Sequence, residues 1–169
     1  MKQTTSLQTG IITAIIMVLA SLFSLYILKN PVESYFQVII YIIFAAGIVW
    51  SLVNFSRSET GNKTFSGYFS TGFKTFVVIT LIMAVFAYIY FSLNTDFRDN
   101  KIAENSRLLL LEGNHLPAEI ENNARQLKKM YIPMMLSAAI FRYLILGAII
   151  TGIAAFFLSD KNKNQQQLN

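Results

Sequence analysis

A single arginine, Arg142, lies inside a long apolar run near the C-terminus, in the segment Phe141-Arg142-Tyr143. A guanidinium is always charged, and placing it at the centre of a bilayer costs at least about 2.5 to 3.5 kcal/mol. Such a residue is a candidate for binding an anion or for pairing with a carboxylate. The alternative interpretation is structural: Arg142 lies about one helical turn inside the membrane and extends its side chain to the headgroups.

None of the apolar runs contains Asp or Glu, so a partner for Arg142 must come from outside them. The candidates are Glu33, between the first two runs, Asp96 or Asp99, after the third, and a lipid phosphate. If the chain crosses the membrane four times, all of them lie on the same face. We therefore predict an anion-binding or pairing site formed by Arg142, Glu33 and Asp96.

Other catalytic chemistry has little support in the sequence. The chain has no cysteine, which excludes disulfides, thiolate catalysis and cysteine metal sites. Its only histidine, His115, lies in a turn without a spaced second ligand, so no metal site is predicted. Neither a nucleophile with a base and an orienting group nor a glycine-rich phosphate loop is present. We expect a protein without catalytic, cofactor-binding or metal-binding residues, and thus not an enzyme.

The composition indicates which solvent the chain requires. Hydrophobic residues make up 54% and charged residues 14%, which is too apolar for an ordinary soluble domain. The net charge of +5 comes from scattered basic residues, so nucleic-acid binding is not expected. We therefore expect most of the chain to lie in a lipid bilayer.

Four apolar stretches are long enough to cross a hydrocarbon core about 30 Å thick as helices. We predict an all-α integral membrane protein in a single domain. The predicted spans are residues 7–28, 35–55, 75–93 and 132–158, and a disordered polar tail follows from about residue 160. Aromatic residues at three- and four-residue spacing between Phe65 and Phe76 predict an amphipathic start of the third helix. It either senses lipid or a partner, or belongs to the interfacial aromatic belt.

Residues 94–130 are polar and predict a helical hairpin outside the membrane, with arms at about Phe97–Glu112 and Pro117–Met130. Gly113 suits the end of the first arm and Pro117 the first turn of the second. The leucine run at the end of the first arm is too apolar for full solvation. The candidate partner-binding residues of the hairpin are Leu108, Leu109, Leu111, Ile120 and Leu127.

Orientation depends on the distribution of Lys and Arg, which is nearly even between the two sides. The short, positively charged N-terminus favours cytoplasmic N- and C-termini. The hairpin then lies on the opposite face, which is the periplasm in a Gram-negative cell.

The order of these parts resembles DUF4199, a family of bacterial membrane proteins of unknown function. The resemblance rests on Thr64-Phe65-Ser66-Gly67-Tyr68-Phe69, Gly72-Phe73-Lys74, Asn94-Thr95-Asp96-Phe97 and Gly113-Asn114-His115-Leu116-Pro117-Ala118-Glu119-Ile120-Glu121. It implies a multi-pass protein of the bacterial inner membrane, without a known activity or cofactor.

Three hypotheses remain for the function. The first is an accessory or interaction subunit of the cell envelope, which binds a protein partner or forms a homo-oligomer. The second is a small transporter or channel component, for which a water-filled cavity with Arg142 and Asn54 would be needed. The third is a lipid-phosphate-binding protein, or an enzyme acting on such a lipid, in which Arg142 holds the anion.

Overall fold

A computed structural model describes the backbone of residues 5–26, 34–58 and 63–167, and the side chains of residues 5–25, 36–58 and 63–160. Within these ranges all regular elements are α-helices. They are α1 (Ser6–Tyr26), α2 (Ser34–Arg57), α3 (Phe65–Leu93), α4 (Thr95–Glu112) and α5 (Pro117–Gln167). The predicted all-α fold is confirmed. Residues 27–33, between α1 and α2, lie outside the described residues.

Four of these helices are long and apolar enough to cross a membrane. The candidate spans are Ser6–Leu25, Phe36–Arg57, Phe65–Leu93 and Pro117–Asp160, with mean hydropathies from 1.9 to 2.4. Each reaches the length of about 20 residues that a hydrocarbon core requires. The four predicted spans are therefore confirmed by length and composition, and α4 is the one described helix that is not a candidate.

Helix α5 differs from the prediction, because the second hairpin arm and the fourth span form one helix of 51 residues. Pro133 lies inside it and removes one backbone donor. Neighbouring helices can compensate for such a loss in membrane proteins, so the helix continues. The tail that we expected to be disordered from about residue 160 is helical as far as Gln167. No Gly or Pro interrupts it, and each added residue forms one more backbone hydrogen bond.

Two compact units make up the chain. One consists of Met1–Met83 and Phe141–Asn169, and the other consists of Ala84–Ile140. Helices α3 and α5 contribute to both units. The first unit thus contains α1, α2, the part of α3 up to Met83 and the part of α5 from Phe141 onward. The second unit contains the rest of α3, the whole of α4 and the part of α5 up to Ile140.

In the first unit, glycine and threonine allow close contact between helices. A Cβ atom at Gly47 would overlap the side chain of Thr13, and one at Gly72 would overlap that of Thr151. At Gly147 the nearest Phe76 ring atom would lie at 2.6 Å. At these positions small residues support helix packing, as van der Waals contact drives association in lipid. Gly152, in contrast, has no atom within 4 Å of its Cβ position.

Buried hydroxyl groups connect three helices of the same unit. Ser51 Oγ of α2 lies 2.7 Å from Thr75 Oγ1 of α3. Thr75 Oγ1 is also 3.3 Å from the carbonyl of Ser6 in α1 and 3.0 Å from that of Thr71. Since the Thr75 hydroxyl has one proton, these two carbonyls share it, and Ser51 donates to Thr75. Thr75 is fully buried, so this contact needs no water.

We predict that Gly72→Ala lowers the free energy of unfolding by about 1–3 kcal/mol, the usual cost of overpacking a core. The added methyl group would meet the Cβ-branched side chain of Thr151, which has few ways to move aside. Unfolding in mixed detergent micelles, followed by far-UV circular dichroism, measures the change.

Gly152→Ala is the matched control, since the space at Gly152 is open and alanine favours helix. We expect it to leave stability unchanged or slightly increased. Thr151→Ala should restore most of the loss in Gly72→Ala, because Thr151 Oγ1 has no hydrogen-bond partner to lose. Equal effects of the two glycine substitutions would contradict this account of the packing.

Candidate functional site

Arg142 lies in a cluster of polar and aromatic side chains from α2 and α5. Its Nη1 donates a hydrogen bond to the hydroxyl of Tyr41, at 3.1 Å. Gln37 Nε2 donates to the same oxygen, also at 3.1 Å. The ring of Tyr143 meets the ring of Tyr41 edge-on at 6.2 Å and that of Phe44 at 5.2 Å. We call these five residues the Arg142 cluster.

Local helix geometry explains how α2 supplies its share of the cluster. Gln37 and Tyr41 are four residues apart, so their side chains lie on one face of the helix. Phe44 follows one turn later and is fully buried. The Tyr41 ring therefore lies against the ring of Tyr143, and its hydroxyl accepts hydrogen bonds from Gln37 and Arg142.

The contact with Tyr41 also defines the level of Arg142 along α2. Tyr41 is seven residues from Ser34, the first residue of α2, which corresponds to about 10 Å of helix. An arginine at this level can extend toward the headgroups. The geometry thus favours a position near one end of the span over one at its centre.

The predicted acidic partners of Arg142 remain predictions. Glu33 lies outside the described residues. Asp96 is in the first turn of α4 and belongs to the second unit. Tyr41, which Arg142 does contact, was not predicted. The sequence did contain an indication of this contact. Gln37 and Tyr41 are four residues apart, which places two hydrogen-bonding side chains on one face of an apolar helix.

The second unit contains the helical hairpin, formed by α4 and the first part of α5. Gly113 ends α4 with a positive φ of 70°, as the sequence predicted. Pro117 begins α5, and the carboxylate of Glu119 accepts a hydrogen bond from the Leu116 N–H at 3.0 Å. This bond satisfies the backbone N–H of the N-cap residue and is one half of a capping box; Leu116 has no side-chain oxygen to complete the other half.

An ion pair joins the two hairpin arms, because Lys128 Nζ lies 3.7 Å from Asp99 Oδ1. The ring of Tyr131, in α5 directly after the second arm, meets the ring of Phe91 in α3 edge-on at 6.2 Å. Ile120 and Tyr131 are buried, at 7% and 4% exposed. One face of this part of α5 therefore packs within the second unit.

The predicted partner-binding residues differ in their exposure. Leu108 and Leu111 are 54% and 74% exposed, whereas Leu109 and Leu127 are half-buried. Ile120 packs within the chain, so the structure does not present it to a partner. Leu110 and Leu116 were not predicted, but they are 61% and 65% exposed. We define the leucine surface as Leu108, Leu110, Leu111 and Leu116.

His115 lies in the loop between the arms, between two carboxylates. Its Nε2 is 3.4 Å from Glu112 Oε2, and its Nδ1 is 4.0 Å from Glu119 Oε2. No group of three or more His, Cys, Asp or Glu side chains suited to a metal ion occurs among the residues that the structure describes. The geometry is that of a loop residue with acidic neighbours.

A family model described as "Protein of unknown function (DUF4199)" matches residues 6–160. The chain belongs to this family. The match covers all four candidate spans and the hairpin, and the resemblance found in the sequence is thereby confirmed. Comparison with curated proteins and with solved structures found no match to this DUF4199 protein.

Charge interactions stabilise the hairpin at Asp99. A hydrogen bond from Arg98 Nε, at 2.8 Å, holds the pKa of the Asp99 carboxyl below its usual value, and the charges of Arg98 and Lys128 act in the same direction. Glu104 likewise has a lowered pKa, because it accepts a hydrogen bond from Lys101 at 2.8 Å. Both carboxylates are therefore ionised in the folded protein at neutral pH.

We predict that the contribution of Asp99 to hairpin stability is present above about pH 3.9, its ordinary pKa, and is lost as the pH falls through the lower folded value. A carboxyl carbon titration by NMR in micelles should give a midpoint below about 3.9. Arg98→Ala should raise that midpoint more than Lys128→Ala, because only Arg98 makes the short hydrogen bond. A midpoint at or above the ordinary value would contradict the prediction.

Proposed function

We propose that this protein is a non-enzymatic accessory subunit of the bacterial inner membrane that binds a protein partner through its hairpin. The observation that carries the proposal is the exposure of the leucine surface. Helix α4 has no buried residue, although it contains a run of four leucines. The run gives this 18-residue helix an exposed apolar area, and outside a membrane such an area commonly marks an interaction site.

The neighbours of the leucine surface favour a protein over lipid as its occupant. Arg107 and Glu112 flank the leucine run directly, and both are exposed. Insertion of the leucines into hydrocarbon would bring these charges with them, at a cost of several kcal/mol. Protein interfaces, in contrast, commonly combine an apolar centre with a polar rim.

The hairpin is also ordered before any partner binds. Its arms are joined by the Asp99–Lys128 pair, and the ring of Tyr131 packs against Phe91 of α3. A partner therefore does not have to order this segment, which reduces the entropic cost of association.

Photo-crosslinking in cells tests the proposal. A photoreactive amino acid at Leu108, Leu111 or Leu116 should give the same protein adduct, either with another protein or with a second copy of this chain. The same probe at Asn122 or Gln126, which are exposed on the second arm, is the positional control and should give at most a trace of that adduct.

The double variant Leu108→Gln/Leu111→Gln should reduce the adduct formed from Leu116 at least tenfold. Its thermal unfolding should match that of the wild-type protein, because both leucines are exposed. Adducts with lipid alone, or equal yields at all five probe positions, would refute a protein-binding hairpin.

We further propose that both termini are cytoplasmic and that the hairpin lies on the periplasmic side. The short, positively charged N-terminus supports this orientation. Four crossings place the segment before α3 and the hairpin loop on opposite faces.

Because the chain has no cysteine, single-cysteine variants can report this orientation without background. Asn114→Cys in the hairpin loop should react with a membrane-impermeant maleimide in intact spheroplasts. Thr64→Cys, at an exposed position directly before α3, should react only after permeabilisation. The reverse labelling pattern would establish the opposite orientation.

A further inference from the structure

Arg142 lacks a neutralising carboxylate in the described part of its own unit. The only acidic side chain described there is Asp160, which lies 18 residues further along the same helix. At 1.5 Å per residue, this separation is about 27 Å, far beyond the reach of an ion pair. The described part of the unit therefore supplies no carboxylate that pairs with Arg142.

The guanidinium is oriented but has most of its donors available. Its one hydrogen bond to the described residues runs from Nη1 to the Tyr41 hydroxyl. A guanidinium carries five N–H donors in a planar fork, and this fork matches the geometry of a phosphate group. Arg142 is exposed on the surface of its unit, so these donors face the surroundings.

The surroundings of a membrane helix at this level are phospholipids. Tyr41 places Arg142 about 10 Å from the first residue of α2, within the reach that lets arginine contact the headgroup region. Tyrosine rings, here Tyr41 and Tyr143, are also enriched at this depth. Lipid phosphates are the anions present there at highest concentration.

We infer that Arg142 and Tyr41 form a binding site for the phosphodiester of an anionic phospholipid. Tyr41 accepts one N–H and so holds the guanidinium plane, while the remaining donors form paired hydrogen bonds with two phosphate oxygens. A headgroup without its own cation leaves a full negative charge to neutralise Arg142. The site therefore prefers phosphatidylglycerol to phosphatidylcholine, whose choline group cancels the phosphate charge.

Lipid retention by the intact protein tests the inference. The protein is purified in mild detergent, incubated with an equimolar mixture of phosphatidylglycerol and phosphatidylcholine, and examined by native mass spectrometry. The wild type should retain phosphatidylglycerol preferentially. Arg142→Gln should reduce that preference at least tenfold, and Arg142→Lys should recover only part of it, because lysine keeps the charge but loses the planar fork.

Tyr41→Phe should give an intermediate loss, since it removes the acceptor but leaves the ring. Arg125→Gln is the matched control, because Arg125 is an exposed arginine of the hairpin that pairs with Glu121 at 2.9 Å. It should retain the lipid as the wild type does. Thermal unfolding in phosphatidylcholine nanodiscs identifies any variant that has simply failed to fold.

Three results would overturn the inference. One is equal preference for phosphatidylglycerol in the wild type and Arg142→Gln. Another is displacement of the lipid by millimolar inorganic phosphate, which would assign the site to a free anion. The third is a gain of lipid retention in Glu33→Gln, which would show that Glu33, rather than a lipid, neutralises Arg142 in the wild type.

Discussion

Close contact between helix backbones is the interaction on which the first unit depends. Lipid tails are as apolar as leucine, so burial from water cannot drive helices together inside a membrane, and contact area has to do so. Gly47 and Gly72 provide that contact because each lies against a threonine where a methyl group would not fit. Hydrogen bonds also join these helices, from Ser51 Oγ to Thr75 Oγ1 and from Thr75 Oγ1 to the Ser6 carbonyl.

This arrangement explains why polar residues are buried in the middle of apolar helices. The buried polar side chains in the described residues are serines and threonines, and several donate to a carbonyl one turn earlier in their own helix. Thr13 donates to Thr9 and Thr80 to Phe76, both at 2.8 Å. A hydroxyl satisfied within its own helix can be buried anywhere along a span without requiring a partner helix. Ser51 and Thr75 differ, because their contact depends on how two helices align.

The sequence predicted which segments cross the membrane as helices, but not how all of the helices join or contact one another. Apolar length identified the four spans, and Gly113 and Pro117 located the hairpin loop to the residue, because both have a specific backbone role. The continuity of α5 was not predictable from a proline and a change from polar to apolar residues, both of which can end a helix. Tyr41 was missed as the partner of Arg142 because they are 101 residues apart, and only the alignment of α2 and α5 brings them together.

Exposed apolar side chains have different explanations in the candidate spans and in the hairpin. In the spans, residues such as Leu19, Ile42 and Ile149 are 53–61% exposed, and a lipid environment accounts for them. The leucine surface is exposed to the same degree, but the same explanation fails there, since Arg107 and Glu112 adjoin it and α4 is not a candidate span. Water does not favour such a surface either. The leucine surface thus combines apolar side chains with bordering charges, on a hairpin whose arms are joined by an ion pair, and this combination supports the proposal of a protein partner.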